Sequence, residues 1–251
     1  MRPLLEKFDK LLPREDEDVA AEIRAILERE GIEVRLGAEC MELKKQGDRV
    51  VVGLECKGGA PIAEGSHLLL AVGRLPNTRD LGLKEAGIAT DPRGYIEVDD
   101  ACRTSAEGVW AMGDANGRGA FTHTSWNDYE IVAANLFDND KRGISDRIPC
   151  YALFIDPPLG RVGMNEAEAR KSGKKLLAGK MLMTRVGRAR EAGETQGFMK
   201  VLVGRRQQGT AGRRDPWPQR RRGGSLFAGR HVREEALHHR PARGAYPSDG
   251  D

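Results

Sequence analysis

The residues best suited to chemistry are Gly113 and Asp114, within the stretch Thr104 to Leu136, TSAEGVWAMGDANGRGAFTHTSWNDYEIVAANL. A short apolar run, Val109-Trp110-Ala111-Met112, precedes them, and a Gly-containing loop follows. Read as a buried strand, the run carries at its carboxyl end a glycine, which lets backbone approach a ligand closely, and an aspartate, which accepts hydrogen bonds from hydroxyl groups. Open α/β sheets bind ligands at that end of their strands. The loop then enters a helix expected to begin near Thr122 to Ser125, where hydroxyl side chains cap it, with Tyr129, Val132, Ala133 and Leu136 on its inward face. The positive end of that helix is expected to face the same ligand.

A Gly-Asp dipeptide after a strand is by itself only a turn. Taken in order, however, the apolar run, the Gly-Asp and FTHTSWNDYEIVAANL resemble the second flavin-binding segment of the pyridine nucleotide-disulfide oxidoreductases, which include lipoamide dehydrogenases, glutathione reductases and mercuric reductases. The Thr-His-Thr version resembles the mercuric-reductase-like branch. The resemblance implies FAD as a cofactor, with Asp114 accepting a hydrogen bond from a ribityl hydroxyl. It also implies that the helix end at Thr122 and His123 faces the pyrimidine side of the flavin, where it stabilises the anionic reduced ring. Electrons then pass from NAD(P)H through FAD and a close pair of cysteines to a disulfide or metal-ion substrate, and a histidine of the partner subunit acts as acid and base. This chain is expected to contribute no catalytic residue and no metal ligand. Its cysteines, Cys40, Cys56, Cys102 and Cys150, are far apart and read as reduced structural thiols, and His123 reads as a polar residue at a helix start.

The elements that position this stretch are legible on both sides of it. Pro13 to Asp18 opens a helix with acids in its first turn, and Val19, Ile23, Ile26 and Leu27 share one face. Gly31 stops it, Ile32 to Leu36 alternates like a strand, and Met41 to Lys45 with Val50 to Leu54 reads as a hairpin. Leu68 to Val72 is continuously apolar, as a central strand is, and Tyr95 to Val98 reads as a shorter one. The ending Ala71-Val72-Gly73-Arg74-Leu75-Pro76-Asn77 resembles the close of the family's NAD(P)-binding domain, which implies a cofactor contact at Gly73 and Arg74. The nucleotide fingerprint G-x-G-x-x-G occurs nowhere in the chain and is expected before residue 1. Past the polar stretch from Asp138 to Arg147, residues Pro149 to Ala169 resemble the opening of the family's interface domain, whose role is dimerisation. Within it Asn165 and Glu168 have capping-box spacing. Met181 to Met183 and Phe198 to Val203 read as further strands of its antiparallel sheet.

The expected fold class is therefore α/β: incomplete doubly wound FAD- and NAD(P)-binding domains, then the start of an α+β interface domain, then a disordered tail. The segments are 1–76 for NAD(P), 77–146 for the flavin, 147–203 for dimerisation and 204–251 for the tail. From Gly204 on there are eleven Arg, no Lys and five acids, a surplus of six positive charges, so residues 1–203 carry a net −3 in a chain of net +3. Read one base later, the codons for Gly204 to Pro218 can spell ADSKERLGAAILG, and those for His231 to Gly250 can spell MYAKKPYTTVQRAVHIHPTV. These resemble the family's continuing sheet and its closing His-Pro segment, so the tail is expected to be out of frame. No signal peptide and no apolar run of membrane-spanning length occurs, and with reduced thiols a cytoplasmic protein is expected; the resemblance implies a homodimer acting on a small-molecule or disulfide substrate. Weak or no flavin binding is expected of these residues alone. The alternative is a non-catalytic α/β module whose Arg-rich tail binds nucleic acid or another polyanion, with salt-dependent heparin retention as its mark.

Overall fold

The computed structural model describes residues 2–56, 61–173, 175–204 and 223–227. The chain divides into two compact units: residues 1–68 with 149–251, and residues 69–148. In the first, β1 (Arg2–Glu6), α1 (Glu17–Arg29) and β2 (Ile32–Leu36) form a β-α-β unit, with β1 and β2 parallel and Leu4 opposite Val34. The sequence reading missed β1, and α1 starts a turn later than its acidic run suggested. Asp16 is the residue before α1 and Glu15 is buried, so these two acids serve as partners for charges elsewhere. β3 (Ala38–Gln46), β4 (Arg49–Cys56) and β5 (Ile62–Gly65) make a three-stranded antiparallel sheet, one strand more than the expected hairpin.

The second unit holds α2 (Thr122–Phe137) as its one α-helix among the described residues, with short 3-10 turns at Gly113–Asn116 and Ile144–Asp146. Three expected strands are absent. Leu68 to Val72 has no strand partner among the described residues, with Leu69 87% and Val72 91% exposed. Val109 to Met112 contributes only the bridge Arg103↔Trp110, and Tyr95 to Val98 only the bridge Thr90↔Ile96. Apolarity marks a segment that can enter a sheet, but backbone partners make the strand, and among the described residues none runs beside Leu68 to Val72.

The chain then returns to the first unit as β6 (Cys150–Leu153), β7 (Leu159–Val162), α3 (Glu166–Lys171), β8 (Leu176–Leu182), α4 (Gly187–Ala192), β9 (Phe198–Gly204) and β10 (Gly223–Phe227). The five strands form a sheet in the order β6-β7-β10-β9-β8. β10, the described part of the tail, lies between β7 and β9, with Gly224 paired to Val162 on one side and Val201 on the other. The rest of residues 205–251, with their proposed change of reading frame, lies outside the described residues. One core joins the two parts of this unit: Val19, Ile23 and Ile26 of α1 pack with Leu159 of β7 and Phe198 of β9. Each such side chain contributes about 1.5–3 kcal/mol of burial.

A buried charge cluster crosses the same joint. Lys200 Nζ lies 3.2 Å from Asp16, 3.1 Å from Asp18 and 2.6 Å from Glu166. Arg161 pairs with Glu15 at 2.7 Å and with Glu168 at 3.3 Å. Burial raises the pKa of Asp18, but hydrogen bonds from Lys180 and Lys200 outweigh it and leave the carboxyl below its usual range. Hydrogen bonds from Lys200 and Arg170 lower Glu166 likewise. Groups with depressed folded pKa values stabilise fully above the unfolded pKa, and that stability drains as pH falls through the folded value. Burial instead raises Glu15 against the pull of Arg161, a contribution of opposite sign that is lost as pH rises. Urea melts of the first unit are thus expected to shift to lower midpoints below about pH 4, where carboxylates protonate, and an unchanged midpoint there would show that the cluster contributes no net stability.

Candidate functional site

The loop between the apolar run and α2 is held against the helix by glycines and one buried carboxylate. Gly113 has φ +74°, and a Cβ built on it would lie 2.9 Å from Ser125 Oγ. A Cβ on Gly119 would lie 2.6 Å from Thr124 Oγ1. Glycine therefore permits the close approach at both places, and the left-handed backbone at Gly113 penalises any other residue. Asp128 is 1% exposed; its Oδ2 accepts hydrogen bonds from Gly113 N–H and from Asn116 Nδ2, both at 2.9 Å, and Arg147 donates to its Oδ1. Asn116 Nδ2 donates also to Ala111 O at 3.1 Å, so the turn is tied to the run before it. Asp114, between these anchored residues, is exposed.

α2 begins at Thr122, as expected, but its cap comes from the third helical residue. Thr124 Oγ1 accepts from Phe121 N–H at 3.2 Å and donates to Phe121 O at 2.6 Å. The inward face also differs from the expected one. Thr124, Asp128, Ile131, Val132 and Ala134 are buried, whereas Tyr129 and Leu136 are about half exposed. The bonds from Asp128 to the turn rotate the helix toward its polar residues, which an apolar count alone cannot register. Phe121 and His123 stack at 5.3 Å between ring centroids at the helix start.

Gly113 is held against the first turn of α2, the turn that carries Thr122 and His123, and Asp114 follows it in the chain. Gly73 and Arg74 lie in an exposed irregular stretch, and a side chain at Gly73 (φ +132°) would meet nothing within 4 Å among the described residues. A groove of about 490 Å³ elsewhere in this unit is lined by Glu97, Asp99, Arg103 and Glu107 among others, and by none of the predicted residues. Asp99 and Arg103 pair with each other at 2.8 Å, so their charges are spent within the groove. A helix start leaves backbone N–H groups without intrahelical partners, and the turn that carries the exposed Asp114 is bonded to α2 through Gly113 N–H and Asp128. Sequence reasoning missed Asn116, Asp128 and Arg147; an acid on a helix face otherwise reckoned inward was the available sign.

Cys102 is fully buried beside this network, and burial, with the negative charge of Asp128, pushes its thiol up to about 11. A thiol so raised is a poor nucleophile at neutral pH. No group of three or more His, Cys, Asp or Glu able to hold a metal occurs among the described residues. No helix among them is long and apolar enough to cross a membrane.

Residues 2–128 match the model of the pyridine nucleotide-disulphide oxidoreductases, and residues 150–212 match that family's dimerisation domain. The probable pyridine nucleotide-disulfide oxidoreductase RclA of Escherichia coli strain K12 is 39% identical over 207 residues, which cover 82% of this chain and 46% of the relative. The dihydrolipoyl dehydrogenase of Thermus scotoductus is 35% identical over 201 residues, covering 79% of this chain and 43% of its own length. The solved structure of the HOCl-induced flavoprotein disulfide reductase RclA from Escherichia coli superposes with a TM-score of 0.79 at 33% identity, over 94% of this chain and 52% of that one. The chain spans about half the length of the curated relatives it matches. Their names place the mercuric-reductase likeness as a related branch only.

Proposed function

Because the chain belongs to the pyridine nucleotide-disulfide oxidoreductase family, we propose that it supplies the second flavin-binding segment and the dimerisation sheet of an enzyme that passes electrons from NAD(P)H through FAD to a disulfide or metal-ion substrate. In this reading residues 1–76 belong to the NAD(P)-binding part, 77–146 to the flavin part and 147–203 to the dimerisation part. The observation that carries it is the seating of the Gly113 turn on the first turn of α2, with Asp114 left exposed. When bound, the flavin supplies the redox chemistry. Asp114 accepts a hydrogen bond from a ribityl hydroxyl, and the start of α2 at Thr122 and His123 favours negative charge at the ring edge. Cys102 is fully buried and takes no part in electron transfer.

Because this chain spans about half the length of its curated relatives and resembles the second flavin segment of the family, these residues by themselves are expected to hold FAD weakly. The test is titration with FAD followed by flavin fluorescence and by the amide resonances of residues 113 and 114. Weak, saturable binding that Asp114→Ala weakens further is the expected result; tight, stoichiometric flavin, or binding indifferent to Asp114, would overturn it.

Dimerisation has a surface of its own. On β9, Phe198, Lys200 and Leu202 are buried, while Val201 and Val203 face outward. Val203 pairs with Leu177, and Val201 lies between the Leu177 and Met181 rows of β8, so four exposed apolar residues share one sheet face. Such a face fits a second copy of the chain. Val201→Glu is expected to shift the protein to monomer in sedimentation at concentrations where the parent is dimeric, and an unchanged sedimentation coefficient would rule this face out as the dimer contact.

A further inference from the structure

We propose that Asp128 is a positioning residue for the flavin site, acting through the Gly113 turn on Asp114; the inference rests on the flavin reading of that turn. A carboxylate is costly to bury unless it is paired and hydrogen-bonded. Asp128 is both, and its bonds are aimed: Arg147 donates to one oxygen, while the other takes the N–H of Gly113 and the amide of Asn116. Arg147 is itself fixed by donation from Nε to Asn127 Oδ1 at 2.8 Å. Holding α2 against the loop would need only an apolar side chain, such as those at Ile131 and Val132 one turn further on. A charged acceptor does something an apolar contact cannot: it fixes the direction of the Gly113 N–H bond and so of the backbone leading to Asp114. On the other side of that residue, Asn116 Oδ1 accepts from Arg118 N–H at 2.9 Å. Asp114 is therefore the exposed member of a turn whose flanks are both locked, directly or through Asn116, to Asp128.

The experiment compares FAD titrations of the full chain, read by the Gly113 and Asp114 amide resonances, which report weak binding as well as strong. Asp128→Asn keeps the side-chain volume, but an amide cannot accept from Arg147 and from the turn together. It is expected to move the Gly113 amide resonance in the free protein and to weaken FAD binding about tenfold, as loss of a charge-assisted hydrogen bond does. In an Asp114→Ala background the same change is expected to alter the residual affinity by less than about twofold, because a residue that acts through Asp114 has nothing left to position. Unchanged affinity in Asp128→Asn, or a tenfold loss that persists without Asp114, overturns the positioning role and leaves the flavin reading standing. A parent chain whose two amides ignore FAD overturns the flavin reading and this inference with it. If circular dichroism shows Asp128→Asn unfolded, Asn116→Ala decides: it removes one donor to Asp128 and is expected to weaken binding about threefold, again only when Asp114 is present, whereas unaltered affinity overturns the proposal.

Discussion

Replacing Lys200 by methionine is expected to destabilise the first unit by about 3 kcal/mol, the lower end of the range for breaking a buried ion pair by removing one partner. The ammonium group sits among Asp16, Asp18 and Glu166, and its side chain is only 6% exposed. Methionine keeps most of the stem, so the loss is electrostatic: the buried Asp16 and the partly exposed Asp18 and Glu166 are left facing one another. Three features hold the cost at the low end. Glu166 N–H donates to Asp16 at 3.0 Å, Lys180 still pairs with Asp18 at 3.0 Å, and Asp16 and Glu166 both stand at helix starts, where the dipole favours negative charge. The measurement is chemical denaturation followed by circular dichroism. Adding Glu166→Gln to Lys200→Met relieves part of the repulsion, and the double variant is expected to be the more stable of the two. A single variant within about 1 kcal/mol of the parent, the value of an exposed pair, would mean that solvent reaches the cluster.

That cluster also shows where a sequence stops being readable. The acids from Glu15 to Asp18 read as first-turn helix residues, a local explanation that accounts for Glu17. Asp16, Asp18 and Glu15 answer to Lys200 and Arg161, about 150 to 180 positions away, and no periodicity or spacing links them. Asn165 and Glu168, by contrast, were legible because the capping box is local; Glu168 N–H donates to Asn165 Oδ1 at 2.6 Å and Asn165 N–H to Glu168 Oε2 at 2.9 Å. α1 was legible because one apolar face dominates it: Val19, Ile23 and Ile26 are buried as their spacing required. α2 was half legible. Its start and its apposition to Gly113 follow from glycine and hydroxyl positions, but its rotation is set by Asp128, a polar residue doing what the pattern reserves for apolar ones. Leu68 to Val72 was misread for the opposite reason, since its composition suits a central strand while its neighbours are not among the described residues. What sequence conveys well here is what a few consecutive residues decide among themselves; what it hides is the choice of distant partner.

Gly113→Ala is the substitution expected to damage the candidate site most. Two effects add. At φ +74° a β-carbon costs about 1–2 kcal/mol in backbone strain, and it would stand 2.9 Å from Ser125 Oγ. The contact is the softer of the two, since a serine hydroxyl rotates about one bond, at the price of its 3.5 Å approach to Phe121 O. Strain is not so easily shed: relaxing φ swings the Gly113 N–H away from Asp128 and turns Asp114 with it. The expected loss of stability is therefore modest, about 1–3 kcal/mol in all, while FAD binding drops below detection. Ser125→Ala in the same chain separates the two, because it removes the hydroxyl and leaves only Ser125 Cβ's position, 3.4 Å from the new carbon. The double variant should regain some stability and none of the flavin affinity. If it regained both, the obstacle would be steric crowding at the helix start, and the left-handed conformation of Gly113 would have no part in presenting Asp114.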